Sequence, residues 1–227
     1  PNEQPVPEKG IAPGSLKAIP IMVDDVVYLS TSMNHVVALD ANTGKQLWDY
    51  DPASYQWGTG PPGVRFGTHR GVAIWGDASH RRIFLPTRGR LIGLDAKTGK
   101  PVDDFGTDGE VDMTSTLVWP VKDRAHFNNT SPPVVYNDLV IVGSAISDSL
   151  VYEKSPPGDV QAFDARTGKR VWSFHTIPQK GEFGTETWEK DSWQNSGHAN
   201  VWAPFTLDEK RGLVYLPIST PANDHYG

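Results

Sequence analysis

Short runs of alternating apolar and polar residues recur along this chain in sets of four. Ile21–Val23, Val26–Ser30, His35–Leu39 and Gln46–Tyr50 make up the first set, with Asp24-Asp25 and Ser32–Asn34 as turn residues between runs. Period-2 alternation over such lengths predicts half-buried strands. A second set follows at Gly71–Trp75, Arg82–Pro86, Arg90–Leu94 and a run reaching about Phe105. The third comprises Pro133–Tyr136, Leu139–Gly143, Asp159–Phe163 and Arg170–Phe174. A fourth starts at Val201–Pro204, continues at Gly212–Pro217 and stops before its turn. No apolar stripe of period 3.6 extends beyond about three turns. The pattern predicts an all-β chain.

A six-residue sentence, Asp-Ala-x-Thr-Gly-Lys, closes three of these sets, at Asp40–Lys45, Asp95–Lys100 and Asp164–Lys169. An aspartate that caps backbone N–H groups and a glycine for the left-handed position make this a hairpin turn. Two copies lead into an aromatic strand, with Trp48 and Trp172 at the same place. Both are expected to pack between neighbouring sheets. In the second copy that place is Asp103, so this repeat is degenerate at its end. A four-stranded antiparallel unit repeated in this way is a propeller blade.

The organisation expected is an arm at 1–17 and a partial β-propeller at 18–227, with blades near 18–51, 70–105, 130–175 and an incomplete 197–227. The repeat aspartates lie 55 and 69 positions apart, against about 40–45 residues for a bare blade. The excess falls in insertions at 52–69 and 106–129 and in the Ser144–Gly158 loop of the third blade, and a further insertion follows at 175–196. Such insertions usually share one face, often the binding face. Closed propellers need about 4–8 blades. Some three and a half blades therefore imply a fragment, or a chain completed by another polypeptide.

Composition agrees and narrows the chemistry. Gly 22 and Pro 19 favour turns, and eight Trp, seven Tyr and eight Phe supply a core. The net charge of −6 is spread without a basic run, which argues against nucleic acid as a partner. No run approaches the roughly 18–20 apolar residues that span a bilayer, and no signal-peptide pattern is present. The absence of Cys removes disulfides, thiolate zinc sites and cysteine nucleophiles together. Thr-Gly-Lys is no phosphate loop, for it lacks the glycine-rich lead-in and the following helix. Asp104–Ser115 fails as an EF-hand loop at its third and twelfth positions, Gly106 and Ser115. Zincin, nucleophile-elbow and dinucleotide motifs are absent.

One ordered set of segments carries more than the turn does. It comprises Arg70–Trp75, Thr130–Pro133, Leu139–Ser144, Gly158–Asp164, Gly181–Gly184 with Thr187-Trp188, Asn200–Pro204, and Leu213–Pro217 leading to Ser219–Pro221. In these segments, and from about Ala18 to Gly227, the chain resembles the quinoprotein dehydrogenases, particularly the membrane-type glucose dehydrogenase branch. The resemblance implies an eight-bladed propeller of which this is the N-terminal part. It also implies pyrroloquinoline quinone (PQQ) and a divalent metal, Ca2+ or Mg2+, as cofactors.

Carried over by residue, the resemblance implies that Arg70 meets a carboxylate of PQQ, that Thr130 hydrogen-bonds the quinone and that Trp202 forms the floor beneath its ring. Asp148 and Thr220 are implied at both cofactor and metal. The catalytic Asp, and a Lys that bonds the quinone, are implied beyond Gly227, so no catalytic residue is expected within this sequence. The adjacent cysteine pair of some alcohol-oxidising relatives is missing, which shifts the expectation toward sugars or polyols. The activity implied is oxidation of a sugar or alcohol hydroxyl by hydride transfer to the quinone. Its implied partners are an external quinone or cytochrome acceptor and the remaining half of the propeller, in a bacterial periplasm. The alternative is a non-catalytic PQQ-like propeller that scaffolds protein–protein contacts. The two part on whether Arg70, Thr130, Asp148 and Trp202 converge at one end of the central channel.

Overall fold

Each copy of the six-residue sentence closes in the same way. Asp40 Oδ1 accepts from the Asn42 and Thr43 N–H groups at 3.1 and 2.7 Å and from the Thr43 hydroxyl at 2.7 Å. Asp95 takes the N–H and hydroxyl of Thr98 at 2.8 and 2.7 Å, and Asp164 those of Thr167 at 2.8 and 2.9 Å. The glycines Gly44, Gly99 and Gly168 sit at φ 69°, 70° and 72°, where any side chain is strained. These contacts hold the Asp40 and Asp164 carboxyls below their ordinary pKa; for Asp164 they outweigh the opposing effect of partial burial.

The structure, a computed structural model, describes residues 13–57, 68–147 and 153–221. Strands β1 (Ile21–Val23), β2 (Val26–Ser30), β3 (Val36–Asp40) and β4 (Gln46–Tyr50) form an antiparallel sheet in sequence order. The second sheet runs β5 (Ala73–Trp75), β6 (Arg82–Thr87), β7 (Arg90–Asp95), β8 (Glu110–Asp112). A short strand β9 (Phe127–Asn128) precedes β10 (Val134–Tyr136), β11 (Leu139–Val142), β12 (Ala145–Ile146), β13 (Val160–Asp164) and β14 (Arg170–Phe174). Of these, β10-β11-β13-β14 make the third sheet, while β12 pairs with β9. A hairpin of β15 (Thr206–Asp208) and β16 (Leu213–Tyr215) begins the fourth. The all-β propeller architecture is thus present, in part.

Two boundaries differ from expectation. The outer strand of the second sheet is β8, at Glu110–Asp112, and not a run to Phe105. After the glycine of the turn, Pro101 makes a single bridge to Leu94. The chain then dives inward, where Phe105 is fully buried with its ring 5.2 Å from that of Phe84. In the fourth blade the first strand starts at Thr206 rather than Val201. Residues 201–204 instead form the entry to that blade.

Sheet packing explains why β6 and β7 read as nearly continuous apolar runs. Ile83, Leu85, Ile92 and Leu94 pack with Tyr28, Val36 and Ala38 of the first sheet. Phe84 and Leu91 point the other way, into a cluster with Val140, Val142 and Phe163 of the third. A third cluster joins Ile141, Val160 and Ala162 to Val201 and Phe205. Both faces are buried, so period-2 alternation sorts residues between two cores rather than between core and water. Among the first strands, β10 lies against both β5 and β15, which puts them nearest the axis. Antiparallel alternation then gathers the six-residue turns at one end. The blade entries and the described stems of the Ser144–Gly158 loop, at 144–147 and 153–158, gather at the other.

Neighbouring blades dock through the turn glycines. The Trp48 indole donates from Nε1 to the Ala96 carbonyl at 3.0 Å, and a Cβ on Gly99 would lie 2.5 Å from its ring. At the next junction, where Asp103 replaces the Trp, Gly168 is met by the Val111 side chain and the Gly106 backbone. A polar network covers the same seam. Arg82 forks onto Asp104 at 2.7 and 2.8 Å and reaches the Arg166 carbonyl at 2.6 Å. Trp75 Nε1 donates to Asp138, which also pairs with Arg166 at 2.8 Å.

Gly44 and Gly99 separate backbone strain from docking, because both hold φ near 70° but nothing lies within 4 Å of a Cβ on Gly44. Gly44→Ala is expected to cost about 1 kcal/mol, the strain of a left-handed alanine. Gly99→Ala adds overpacking against the indole and is expected to cost roughly 2–4 kcal/mol. Denaturant midpoints of the two variants in the full-length protein measure the difference. Equal losses would mean that the indole does not hold the blades together.

Candidate functional site

Three blade entries meet at the end opposite the turns. Arg70 precedes β5, Thr130 precedes β10 and Trp202 precedes β15. Backbone bonds run around the axis from one entry to the next: the Ile19 N–H donates to the Arg70 carbonyl at 2.6 Å, and the Arg70 N–H to the Thr130 carbonyl at 2.9 Å. The Thr130 hydroxyl continues the relay, donating to the Trp202 carbonyl at 2.8 Å. Pro132, Pro133 and Pro204 lie within these entries and cannot donate to a ladder. Gly71 leaves room for the approach, since a Cβ there would sit 3.0 Å from the Ile19 carbonyl oxygen.

The Arg70 guanidinium lies 4.9 Å from the centroid of the Trp202 ring and donates to the Trp202 carbonyl at 3.3 Å. Among the described residues it has no carboxylate partner. Burial lowers its pKa from the ordinary guanidinium value. Arg70, Thr130 and Trp202 together line a cavity of about 320 Å³, completed by Thr68, Asn200 and the strand β12. The Trp202 side of this cavity is open, with the residue 47% exposed. A half-open indole face beside an unpaired cation suits a flat anionic ligand. Near it, the buried hydroxyls of Ser131 and Ser144 have no hydrogen-bond partner among the described residues.

Thr220 does not line the cavity but is tied to it. Its carbonyl accepts from the Ala199 N–H at 2.8 Å, and the neighbouring Ser219 hydroxyl donates to Asn200 Oδ1 at 2.6 Å. Asp148 lies outside the described residues. Among the described residues no group of three His, Cys, Asp or Glu side chains could hold a metal ion. Asn200 escaped the sequence reading, although it is buried, lines the cavity and sits two residues before Trp202. A polar residue at a blade entry, aligned with Arg70 and Thr130, is the signal that points to it.

Two buried groups fix the entries. Asn129 accepts from the Gly89 N–H at 3.0 Å and donates to the Gly143 carbonyl at 2.8 Å, clamping the second blade to the third beside Thr130. His69, fully enclosed next to Arg70, bonds Ser30 at 2.8 Å through Nδ1 and the Pro86 carbonyl at 2.8 Å through Nε2. A carbonyl only accepts, so Nε2 carries the proton and Nδ1 accepts from the Ser30 hydroxyl. Desolvation, with the nearby Arg70 charge acting in the same direction, lowers its pKa to about 4.

A family model described as the glucose/ethanol/alcohol dehydrogenase β-propeller domain of the PQQ proteins matches residues 3–227. The chain is 34% identical over 218 residues to quinohemoprotein alcohol dehydrogenase ADH IIB of Pseudomonas putida, covering 88% of this chain and 27% of that protein. With quinoprotein glucose dehydrogenase of Gluconobacter oxydans it shares 31% over 227 residues, covering 93% of this chain and 27% of the other. Among solved structures, it matches the quinohemoprotein alcohol dehydrogenase ADHIIG of Pseudomonas putida at a TM-score of 0.69 and 27% identity, covering 92% of this chain and 30% of that one. The chain therefore spans a little over a quarter of the length of these relatives.

The His69 arrangement makes a pH prediction. Between about pH 4 and 6.5 the unfolded chain binds a proton at this residue that the fold refuses, so stability rises with pH across that window. Its full contribution is present above pH 6.5 and is lost as pH falls to about 4, a loss of about 3 kcal/mol. His69→Gln keeps a donor toward Pro86 but cannot titrate. Melting temperatures across this range are expected to show a shallower acid slope for the variant; an unchanged slope would refute the assignment.

Proposed function

The chain belongs to the glucose/ethanol/alcohol dehydrogenase β-propeller family of PQQ proteins, and from that premise we propose that it forms part of the cofactor site of a PQQ- and divalent-metal-dependent dehydrogenase. The observation that carries the reading is the meeting of Arg70, Thr130 and Trp202, from three separate blade entries, around one cavity. PQQ, a flat polyanionic quinone, matches the exposed indole, the guanidinium that has no carboxylate partner among the described residues, and the neutral hydroxyls and amide nearby.

In this reading Arg70 presents its planar fork to a cofactor carboxylate. Trp202 supplies a flat apolar floor that orients the ring and keeps water from one of its faces. The Thr130 hydroxyl and the Asn200 amide offer short, directional bonds to the ring periphery. Asp148 and Thr220 are the proposed oxygen donors to Ca2+ or Mg2+, which take such hard ligands. When bound, PQQ supplies the hydride acceptor and the cation supplies Lewis acidity at its carbonyl. The proton of the substrate hydroxyl goes to an Asp that the family resemblance assigns outside this sequence. The chain's own residues thus hold and orient, and the whole protein oxidises.

The substrate class proposed is a sugar, polyol or alcohol, since the relatives described above are named as glucose and alcohol dehydrogenases. An external quinone or cytochrome would take the electrons, and a periplasmic site would follow. Among the described residues no helix is long and apolar enough to cross a membrane.

The test is reconstitution of the full-length protein with PQQ and Ca2+ or Mg2+, followed by a dye-linked screen of aldoses, polyols and alcohols. Wild type is expected to bind PQQ and to oxidise at least one of these classes. Arg70→Lys keeps the charge but loses the fork, and is expected to weaken PQQ binding roughly 10–100-fold, on the order of 1.4–2.8 kcal/mol. Failure of wild type to bind PQQ under either metal would favour the scaffold reading instead.

A further inference from the structure

His198 lies outside the cavity lining but holds two of its sides together. The residue is 4% exposed, and its ring sits between the two stems of the Ser144–Gly158 loop. Nε2 is 3.2 Å from the Ser147 carbonyl on the first stem. Since a carbonyl only accepts, Nε2 carries the proton, which leaves Nδ1 to accept from the Ser155 hydroxyl at 3.3 Å on the second stem.

The backbone repeats the attachment. The His198 N–H donates to the Pro156 carbonyl at 3.0 Å, and the Lys154 N–H to the Asn195 carbonyl at 3.0 Å. Glycines allow this approach: a Cβ on Gly158 would fall 2.0 Å from the His198 carbonyl oxygen, and one on Gly197 2.1 Å from that of Ser155. His198 and Ala199 both adopt left-handed backbone, at φ 54° and 48°. Such a pair persists only where its surroundings enforce it.

The two segments joined here are two sides of the cavity. Ser147 directly follows Ala145-Ile146, which form one wall. Ala199 is bonded to Thr220, and Asn200 and Trp202 complete the floor. We propose that His198 is a positioning residue, which sets the distance between the Ala145-Ile146 wall and the Asn200–Trp202 floor and so fixes the width of the ligand slot. The inference rests on the PQQ reading for the identity of the ligand, but not for the clamp itself.

The experiment uses the full-length protein with His198→Ala, which removes both bonds, and His198→Gln, which restores a donor toward Ser147. Amide hydrogen exchange without cofactor reads the clamp. PQQ quenching of Trp fluorescence reads the slot, and thermal melting reads global stability. His198→Ala is expected to raise exchange in 144–147, 154–158 and 199–202 about tenfold and to weaken PQQ binding about 10–100-fold, the range for residues that orient a binding group through another. His198→Gln is expected to recover most of the affinity even if its melting temperature stays with that of the alanine variant. Unchanged exchange and affinity in His198→Ala would overturn the proposal, as would losses in both variants that simply follow melting temperature. Altered exchange in a protein whose wild type binds no PQQ would sink the cofactor reading and leave the clamp standing.

Discussion

Where Trp48 rests on Gly99, a side chain that is missing determines how one blade meets the next. The indole reaches the Ala96 carbonyl only because residue 99 has no Cβ to block it. The same turn holds that glycine left-handed through the Asp95 cap. Turn chemistry and blade packing are therefore one constraint, repeated at each seam. At the second seam the indole is replaced by Val111, Gly106 and the Arg82–Asp104 and Arg166–Asp138 pairs, while Gly168 keeps its place. The angle between blades depends on these contacts, and everything placed at the blade entries depends on that angle.

The two ends of the blades are built on different principles. At the turn end each Asp cap closes within three residues, and arginines of the seam face carboxylates. At the entry end the chain connects blades rather than strands, so bonds run between residues far apart in sequence. Arg70 and Trp202 are 132 positions apart yet share a hydrogen bond. The relay Ile19–Arg70–Thr130 uses backbone groups, and the Thr130 hydroxyl carries it on to the Trp202 carbonyl. What remains available is an indole face, a guanidinium and hydroxyls around one cavity.

This division explains which features could be read from residues alone. The turns, the strands that flank them and the repeat were legible because they are local: period-2 alternation and a six-residue sentence need no knowledge of the partner blade. The outer strand of the second blade was misread because Phe105 looks like a strand residue but serves as a core plug against Phe84. Only the neighbouring blade decides that. Arg70, Thr130 and Trp202 were named through a family resemblance, and their meeting is a property of the folded entries. Asn200 lies in a segment that carries the resemblance, yet its alignment with Arg70 and Thr130 has meaning only once the blade entries meet. Its significance comes from Ser219, which reaches it only after the fourth blade has turned back. Asp148 belongs to the residues outside the structural description, so its place in the site remains the family's implication.

The electrostatics of the entry end follow from the same division. A chain with a net charge of −6 has carboxylates to spare, and the seam arginines Arg81, Arg82 and Arg166 all meet one. Arg70 meets carbonyl oxygens and an aromatic face instead. A half-buried guanidinium held by neutral groups keeps most of its field for an incoming anion, because among the described residues no carboxylate pairs with it. The adjacent His69 is neutral for a related reason: enclosure and the Arg70 charge both oppose its protonation. A protonated His69 would place a second cation beside the first in a low-dielectric site. Keeping it neutral lets His69 serve as a rigid strut from Ser30 to Pro86 while Arg70 is the charged group that lines the cavity among the described residues.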